Sequence, residues 1–207
     1  FFLDKMPTFS VGAAPEYRNA DEGWGIPQVP AFTGDTALSW HLIESLVGED
    51  FDLTTCQEML VDHAFTLPMA LLWPDQKWPV TVVPVCINTV QAPVPSAKRC
   101  WKLGEAIGRA VASWAGDEKV LILGTGGLSH QLDGERAGFI NKDFDLKFMD
   151  SLVGDDPQWA TQFSGHELVE QTGTQGIELL MWIAARATMG AKVKDVFRNY
   201  HIPISNT

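Results

Sequence analysis

Residues 119–130 read Lys-Val-Leu-Ile-Leu-Gly-Thr-Gly-Gly-Leu-Ser-His, and the reading of this stretch decides the fold class. Val120, Leu121, Ile122 and Leu123 are the clearest buried strand in the chain, and the run ends directly on Gly124, Gly126 and Gly127. A buried strand that opens into a glycine-rich turn is where α/β folds hold ligands, beyond the carboxyl ends of their strands. The turn is not a phosphate loop. It lacks Gly-x-x-x-x-Gly-Lys-Ser/Thr, and Gly-x-Gly-Gly has no third glycine at dinucleotide spacing. It presents His130 instead, between Ser129 and Gln131. A histidine titrates near neutrality and suits proton transfer, although the same ring can equally be satisfied by a backbone carbonyl.

Outward from this stretch, helices and strands alternate. Asp35 caps a helix to Val47 with Leu38, Leu42, Ile43 and Leu46 as its apolar stripe, and Gly48 closes it. Residues 51–59 lean towards a strand, and 79–88 (PVTVVPVCIN) read as a buried one. Ser96 caps a long helix with Cys100, Leu103, Ile107, Ala110, Val111 and Trp114 on one face, ended by Gly116. Asn141 opens a helix carrying Phe144, Phe148 and Leu152, Ser164 with Glu167 forms a capping box, and 174–189 is a strongly apolar helix. The first 35 residues are rich in Pro and Gly and read as loop packed down by Trp24 and Phe32. The alternation predicts a layered α/β/α fold with a largely buried sheet flanked by helices. No repeat, linker or charge block divides residues 1–207, which read as a single domain.

Composition narrows the function. Fifteen Lys and Arg stand against 26 Asp and Glu, a net charge of −11. That excludes a nucleic-acid binder and a polybasic membrane-surface protein, both of which need dense cations. No apolar run reaches the roughly 18–20 residues of a bilayer span. Cys56, Cys86 and Cys100 are widely spaced, without a Cys-x-x-Cys pair, and fit free thiols in the cytoplasm. The chain opens on Phe1-Phe2-Leu3-Asp4 without an initiator Met and stops at Thr207, so it is expected to be a piece with N- and C-terminal parts missing.

Several polar residues sit in notable places. Glu178 lies in Gly-Ile-Glu-Leu-Leu-Met-Trp-Ile (176–183) among large apolar residues. A lone buried carboxylate costs several kcal/mol unless paired or bound to a metal, so Glu178 is either a ligand or part of a polar stripe with Thr174 and Gln175. His63 follows Asp62 before the Pro68 turn, and sequence neighbours on a strand point to opposite faces, so the two are not by that fact a dyad. Ser205 and Asn206 follow His-Ile-Pro-Ile as an ordinary turn. His41 and His166 read as structural or solvated. Eight tryptophans exceed the usual share; most belong in a core, and an aromatic ligand would also favour them.

The strings GTGGLSHQLDGERAGFIN (124–141), VDHAFTLP (61–68), TGTQGIELLMW (172–182) and NYHIPISNT (199–207), with FFLDKMPTFSVG (1–12) and ADEGWG (20–25), together resemble the LigB-type, class III extradiol ring-cleavage dioxygenases, the protocatechuate 4,5-dioxygenase beta subunits in particular. The resemblance covers the whole chain. It implies a catalytic subunit that uses non-haem Fe(II), held by two histidines and one carboxylate, to open protocatechuate between carbons 4 and 5 with O2, giving 4-carboxy-2-hydroxymuconate semialdehyde. Gallate or another substituted catechol is the alternative substrate, and a non-catalytic LigB-like fold the further one. By resemblance Glu178 is the carboxylate ligand, His130 the general base, His63 a second active-site histidine, and Ser205 and Asn206 hold the ring carboxylate. The family's two iron-binding histidines lie upstream of FFLDKMPTFSVG, outside this chain, and a small alpha subunit is implied as heteromeric partner.

Overall fold

All six strands among the described residues lie before residue 88, and each is short. The computed structural model describes residues 6–23 and 25–202. Their contacts group into two units, residues 1–87 with 110–116, and residues 88–109 with 117–207.

The first unit is built on β1 (Phe9–Gly12), whose four residues are all buried. It pairs in parallel with β4 (Thr54–Cys56) and antiparallel with β6 (Val85–Ile87), so Val11 faces Thr55 on one side and Val85 on the other. A second sheet places β2 (Glu16–Asn19) between β3 (Phe32–Thr33) and β5 (Leu60–Val61). Tyr17 of β2 packs with Ala14, Phe32, Val61 and Met69, and Phe32 stacks on Trp78 at 4.7 Å. Two helices complete this unit. In α1 (Thr36–Gly48) Asp35 accepts from the Leu38 N–H at 3.0 Å, and Leu42, Ile43 and Leu46 are buried. In α2 (His63–Leu72) Asp62 is the N-cap and accepts from the Ala64 N–H at 3.1 Å.

The described part of the second unit is helical. The helix α3 (Ala97–Ser113) starts at Ser96, whose hydroxyl accepts from the Arg99 N–H, and enters the first unit for its last residues. Then follow α4 (Lys142–Val153), capped by Asn141, α5 (Gly165–Thr172) with the Ser164–Glu167 capping box, and α6 (Leu179–Ala187), preceded by a 3-10 turn at Gly176–Glu178. A Cβ at Gly104 would sit 2.1 Å from the Ala184 carbonyl oxygen, so α3 and α6 touch backbone to backbone at that point. Arg186 is buried, and its guanidinium donates to the carbonyls of Leu152, Gly190 and Ala191.

The chain is thus a mixed α/β protein with helices and small sheets. Helices α1, α3, α4 and α5 begin where their caps were expected, whereas the apolar helix expected over 174–189 is α-helical only over Leu179–Ala187. The strands differ. Residues 119–123 form no strand among the described residues, and Leu121 is 68% exposed. Apolar, β-prone composition predicts a ladder only where a neighbouring strand exists to complete it. The Pro- and Gly-rich start holds β1, β2 and β3 where loop was expected, because two- to four-residue strands pair with segments far along the chain. Of residues 79–88 only Val85–Ile87 joins a sheet, along with a bridge from Val82 to Gly34. Pro84 has no N–H to give a ladder, which stops the strand there. Pro68 lies inside α2 and is not a turn, so His63 stands at a helix start and not in a loop.

Cys56, Cys86 and Cys100 are free thiols, and burial pushes the Cys100 thiol up to about 12. No helix among the described residues is long and apolar enough to cross a membrane.

Candidate active site

The turn after residue 123 gathers two of the expected residues. Gly126 has φ of +105°, a backbone that glycine adopts freely and side-chain-bearing residues resist. A Cβ there would lie 2.7 Å from the Glu178 Cβ, and a Cβ on Gly127 would lie 2.7 Å from the His130 Cε1. The glycine pair is therefore a thin backbone wall with a carboxylate against one residue and an imidazole against the next. Trp182 of α6 donates its indole N–H to the Gly126 carbonyl at 2.9 Å, which fixes the wall to the helix that Glu178 precedes.

Glu178 closes the 3-10 turn before α6 and is half-buried. Its Oε2 accepts the Gly127 N–H at 2.8 Å, and Oε1 makes no hydrogen bond among the described residues. The full burial expected from its apolar neighbours is not reached, because those neighbours face the core while Glu178 faces the glycine turn. One backbone donor compensates a carboxylate only partly, which leaves it suited to a cation.

His130 is held at three points. Its N–H donates to the Thr172 carbonyl at 2.8 Å, its own carbonyl accepts from the Gly176 N–H at 3.1 Å, and Nδ1 lies 2.8 Å from the Leu128 carbonyl. A carbonyl oxygen only accepts, so Nδ1 carries the hydrogen and the neutral ring keeps its lone pair on Nε2. One ring nitrogen is thus satisfied by a backbone carbonyl, and Nε2 keeps its lone pair.

His63, in the first unit, is fixed differently. Its backbone N–H donates to Glu22 Oε1 at 2.7 Å and its Nδ1 to Oε2 at 2.5 Å. Glu22 is only 9% exposed, while His63 is about half-exposed. One carboxylate thus fills the start of α2 and orients the ring, with Nε2 not engaged by it. Ser205 and Asn206 lie outside the described residues. His41 binds the Ala110 carbonyl and the Ser113 hydroxyl, and His166 is solvated beside Glu170, as expected of structural residues.

Sequence reasoning missed Glu22, Trp182, Asp145 and Tyr200. Glu22 lies 41 positions from His63 and carries no local signal. Asp145 carries one: it shares a helix face with Phe148 and Met149, an acid at a core position, and it is 1% exposed. There it accepts from the Ser129 N–H, the Ser129 hydroxyl and the Tyr200 hydroxyl. Burial, reinforced by the carboxylate, pushes the Tyr200 hydroxyl above its ordinary value, so it stays a donor.

The iron implied by resemblance needs three protein ligands on one face. Among the described residues no three His, Cys, Asp or Glu side chains come together to hold a metal. The described residues therefore do not make a complete site for it.

The family model of the catalytic LigB subunit of aromatic ring-opening dioxygenases matches residues 1–207, and the chain belongs to that family. Gallate dioxygenase of Pseudomonas putida is 41% identical over 185 residues, covering 89% of this chain and 54% of that protein. A 2,3-dihydroxyphenylpropionate/2,3-dihydroxicinnamic acid 1,2-dioxygenase of Photorhabdus laumondii is 37% identical over 131 residues, 63% of this chain and 39% of that protein. The enzyme of the same name from Rhodococcus jostii is 27% identical over 236 positions, 93% of this chain and 73% of that protein. The chain spans about half the length of gallate dioxygenase. Among solved structures, an uncharacterized protein from Escherichia coli K12 shares the fold with a TM-score of 0.54 at 13% identity, covering 89% of this chain and 71% of that one.

Proposed function

We propose that this chain is catalytic machinery of a non-haem Fe(II) extradiol dioxygenase that opens the ring of gallate with O2. The observation that carries the reaction class is the glycine pair with Glu178 on one residue and the Nε2-basic ring of His130 on the next. Alignment supports gallate over a dihydroxyphenylpropionate-type catechol. The 185 aligned positions with gallate dioxygenase take in 89% of the 207 residues, so the two run together almost without insertions. The 236 positions with the Rhodococcus jostii enzyme take in 93%, which requires long insertions on that enzyme's side. Protocatechuate, which differs from gallate by one ring hydroxyl, is the second substrate to try.

In this reading Nε2 of His130 takes a proton from a ring hydroxyl, and the Nδ1–H contact to Leu128 keeps the ring in the tautomer that can do so. His63, aimed by Glu22, moves a second proton. Ser205 and Asn206 offer neutral donors to the ring carboxylate, which matters because a chain of net charge −11 repels an anionic substrate at long range. Glu178 is the carboxylate ligand of the iron, with two further ligands from outside the described residues. Ferrous iron, when bound, would supply the positive charge that gathers catecholate and O2. A small second subunit and a cytoplasmic setting belong to the same proposal.

Oxygen uptake by the native protein reconstituted with ferrous iron tests it. Gallate is expected to give the higher kcat/KM, with one O2 consumed per ring opened. Faster uptake on protocatechuate would reverse the substrate order. No uptake on either, with iron bound, would remove the dioxygenase reading.

A further inference from the structure

We infer that Asp145 is a positioning residue for His130, and that the Tyr200 hydroxyl completes its hold; this rests on the proposed role of His130 as base. The side chain is almost fully buried, and every bond it makes converges on the residue before His130 or steadies that contact. Oδ1 accepts the Ser129 N–H at 2.9 Å, and Oδ2 accepts the Ser129 hydroxyl at 2.6 Å and the Tyr200 hydroxyl at 2.8 Å. The Ser129 oxygen in turn accepts from the Asn141 N–H at 2.7 Å, and Asn141 is the N-cap of α4, the helix that carries Asp145. The chain thus closes a ring, from Ser129 to Asn141, along the first turn of α4 to Asp145, and back.

A buried carboxylate without a cationic partner is costly unless donors surround it. Here three donors do, two of them from one serine. A helix start needs no such arrangement, since Asn141 already caps α4 by accepting the Phe144 N–H. What the arrangement does fix is the path of Leu128, Ser129 and His130. Ser129 is held at backbone and side chain, so the Leu128 carbonyl and the His130 ring that leans on it stay in register. A base effective in proton transfer has to be held to a fraction of an ångström, and such precision comes from the groups behind it. Tyr200 adds the third donor from 55 positions along the chain.

The test is a set of variants of the native, iron-loaded protein assayed with gallate. Asp145→Asn keeps the size of the side chain but turns an NH2 towards two hydroxyls that were donating. It is expected to lower kcat between about tenfold and a hundredfold, with KM changed by less than about twofold. Tyr200→Phe removes one hydroxyl only and is expected to lower kcat between about twofold and tenfold. If Asp145 acts through His130, then Asp145→Asn placed on His130→Gln is no slower than His130→Gln alone, within about twofold. An additional loss in the double variant overturns the inference, because a part that only holds the fold would act independently of the base. Wild-type turnover in Asp145→Asn and Tyr200→Phe, with His130→Gln inactive, overturns it and leaves the base reading standing. Full turnover in His130→Gln overturns both. Should Asp145→Asn fail to fold, Tyr200→Phe alone and combined with His130→Gln decides by the same criteria.

Discussion

His63 and His130 are both fixed through Nδ1, but by partners of opposite kind. His130 leans on a carbonyl two residues back in its own turn, while His63 is gripped by a carboxylate from 41 positions away. A carbonyl is satisfied by a neutral ring, which then offers a lone pair on Nε2. A carboxylate also compensates the ring while it holds two protons. The first arrangement suits a group that takes a proton from a neutral hydroxyl, the second a group that gives one up. On the proposed function, the difference lets one side-chain type serve two directions of proton movement according to what stands behind it.

The sharpest way to break this comparison is to remove the rings one at a time. His130→Gln is expected to lower kcat by at least about a hundredfold, the usual contribution of a positioned general base. Stopped-flow measurement of substrate deprotonation should show that step lost in this variant and retained in His63→Gln. Equal loss of the step in both would mean that the partners do not divide the roles.

Next in size is the wall beside His130. Gly126→Ala adds a methyl 2.7 Å from the Glu178 Cβ at a φ of +105°. Both effects push Glu178 away, and iron affinity measured by chelator competition should fall at least about tenfold. Unchanged affinity would separate Glu178 from the metal. A smaller effect is expected of Glu22→Gln, which keeps the shape of the clamp on His63 and loses its charge. Turnover should fall by about threefold to tenfold, with the deprotonation step untouched. An effect on that step would merge the two histidines into one function.

The smallest effect lies away from both. At α5 the Ser164 N–H, then its hydroxyl, hold the Glu167 carboxyl below the usual carboxylate range. A carboxyl whose folded-state value is depressed stabilises the fold above its unfolded value, and that stability is lost as pH falls through the folded one. Ser164→Ala should lower the melting temperature by a few degrees, about 2–4 °C, at neutral pH and by less in acid. Equal shifts at both pH values would show that the Ser164 hydroxyl takes no part in holding the charge of Glu167.

What was legible in the sequence follows the range of the interaction. Caps and stripes act within a turn or two, so α1, α3, α4 and α5 begin at Asp35, Ser96, Asn141 and Ser164 as their side chains announce. Glu178 and His130 were legible because an acid in an apolar run and a histidine after glycines are local oddities. The strands were not. Whether FSVG is a strand depends on Thr54 to Cys56 and on Val85 to Ile87, and whether VLIL is one depends on a neighbour that nothing within it reveals. Glu22 stayed hidden for the same reason, since its carboxylate gains meaning only against His63. Asp145 carries a local signal of the same kind as Glu178, an acid on the apolar face of Phe148.

The exposed run at 120–123 bears on how the polypeptide behaves in concentrated solution. Leu121 and Leu123 face water at 68% and 45%, next to Val120 and immediately before Gly124. Their backbone N–H and C=O groups are in no ladder among the described residues. A short, uncharged, β-prone row of this kind is a template for edge-to-edge association. The net negative charge keeps whole molecules apart at low ionic strength, but salt screens it within about 10 Å at 0.1 M. Self-association that grows with salt, and that a lysine at position 121 suppresses, would be the mark of this row.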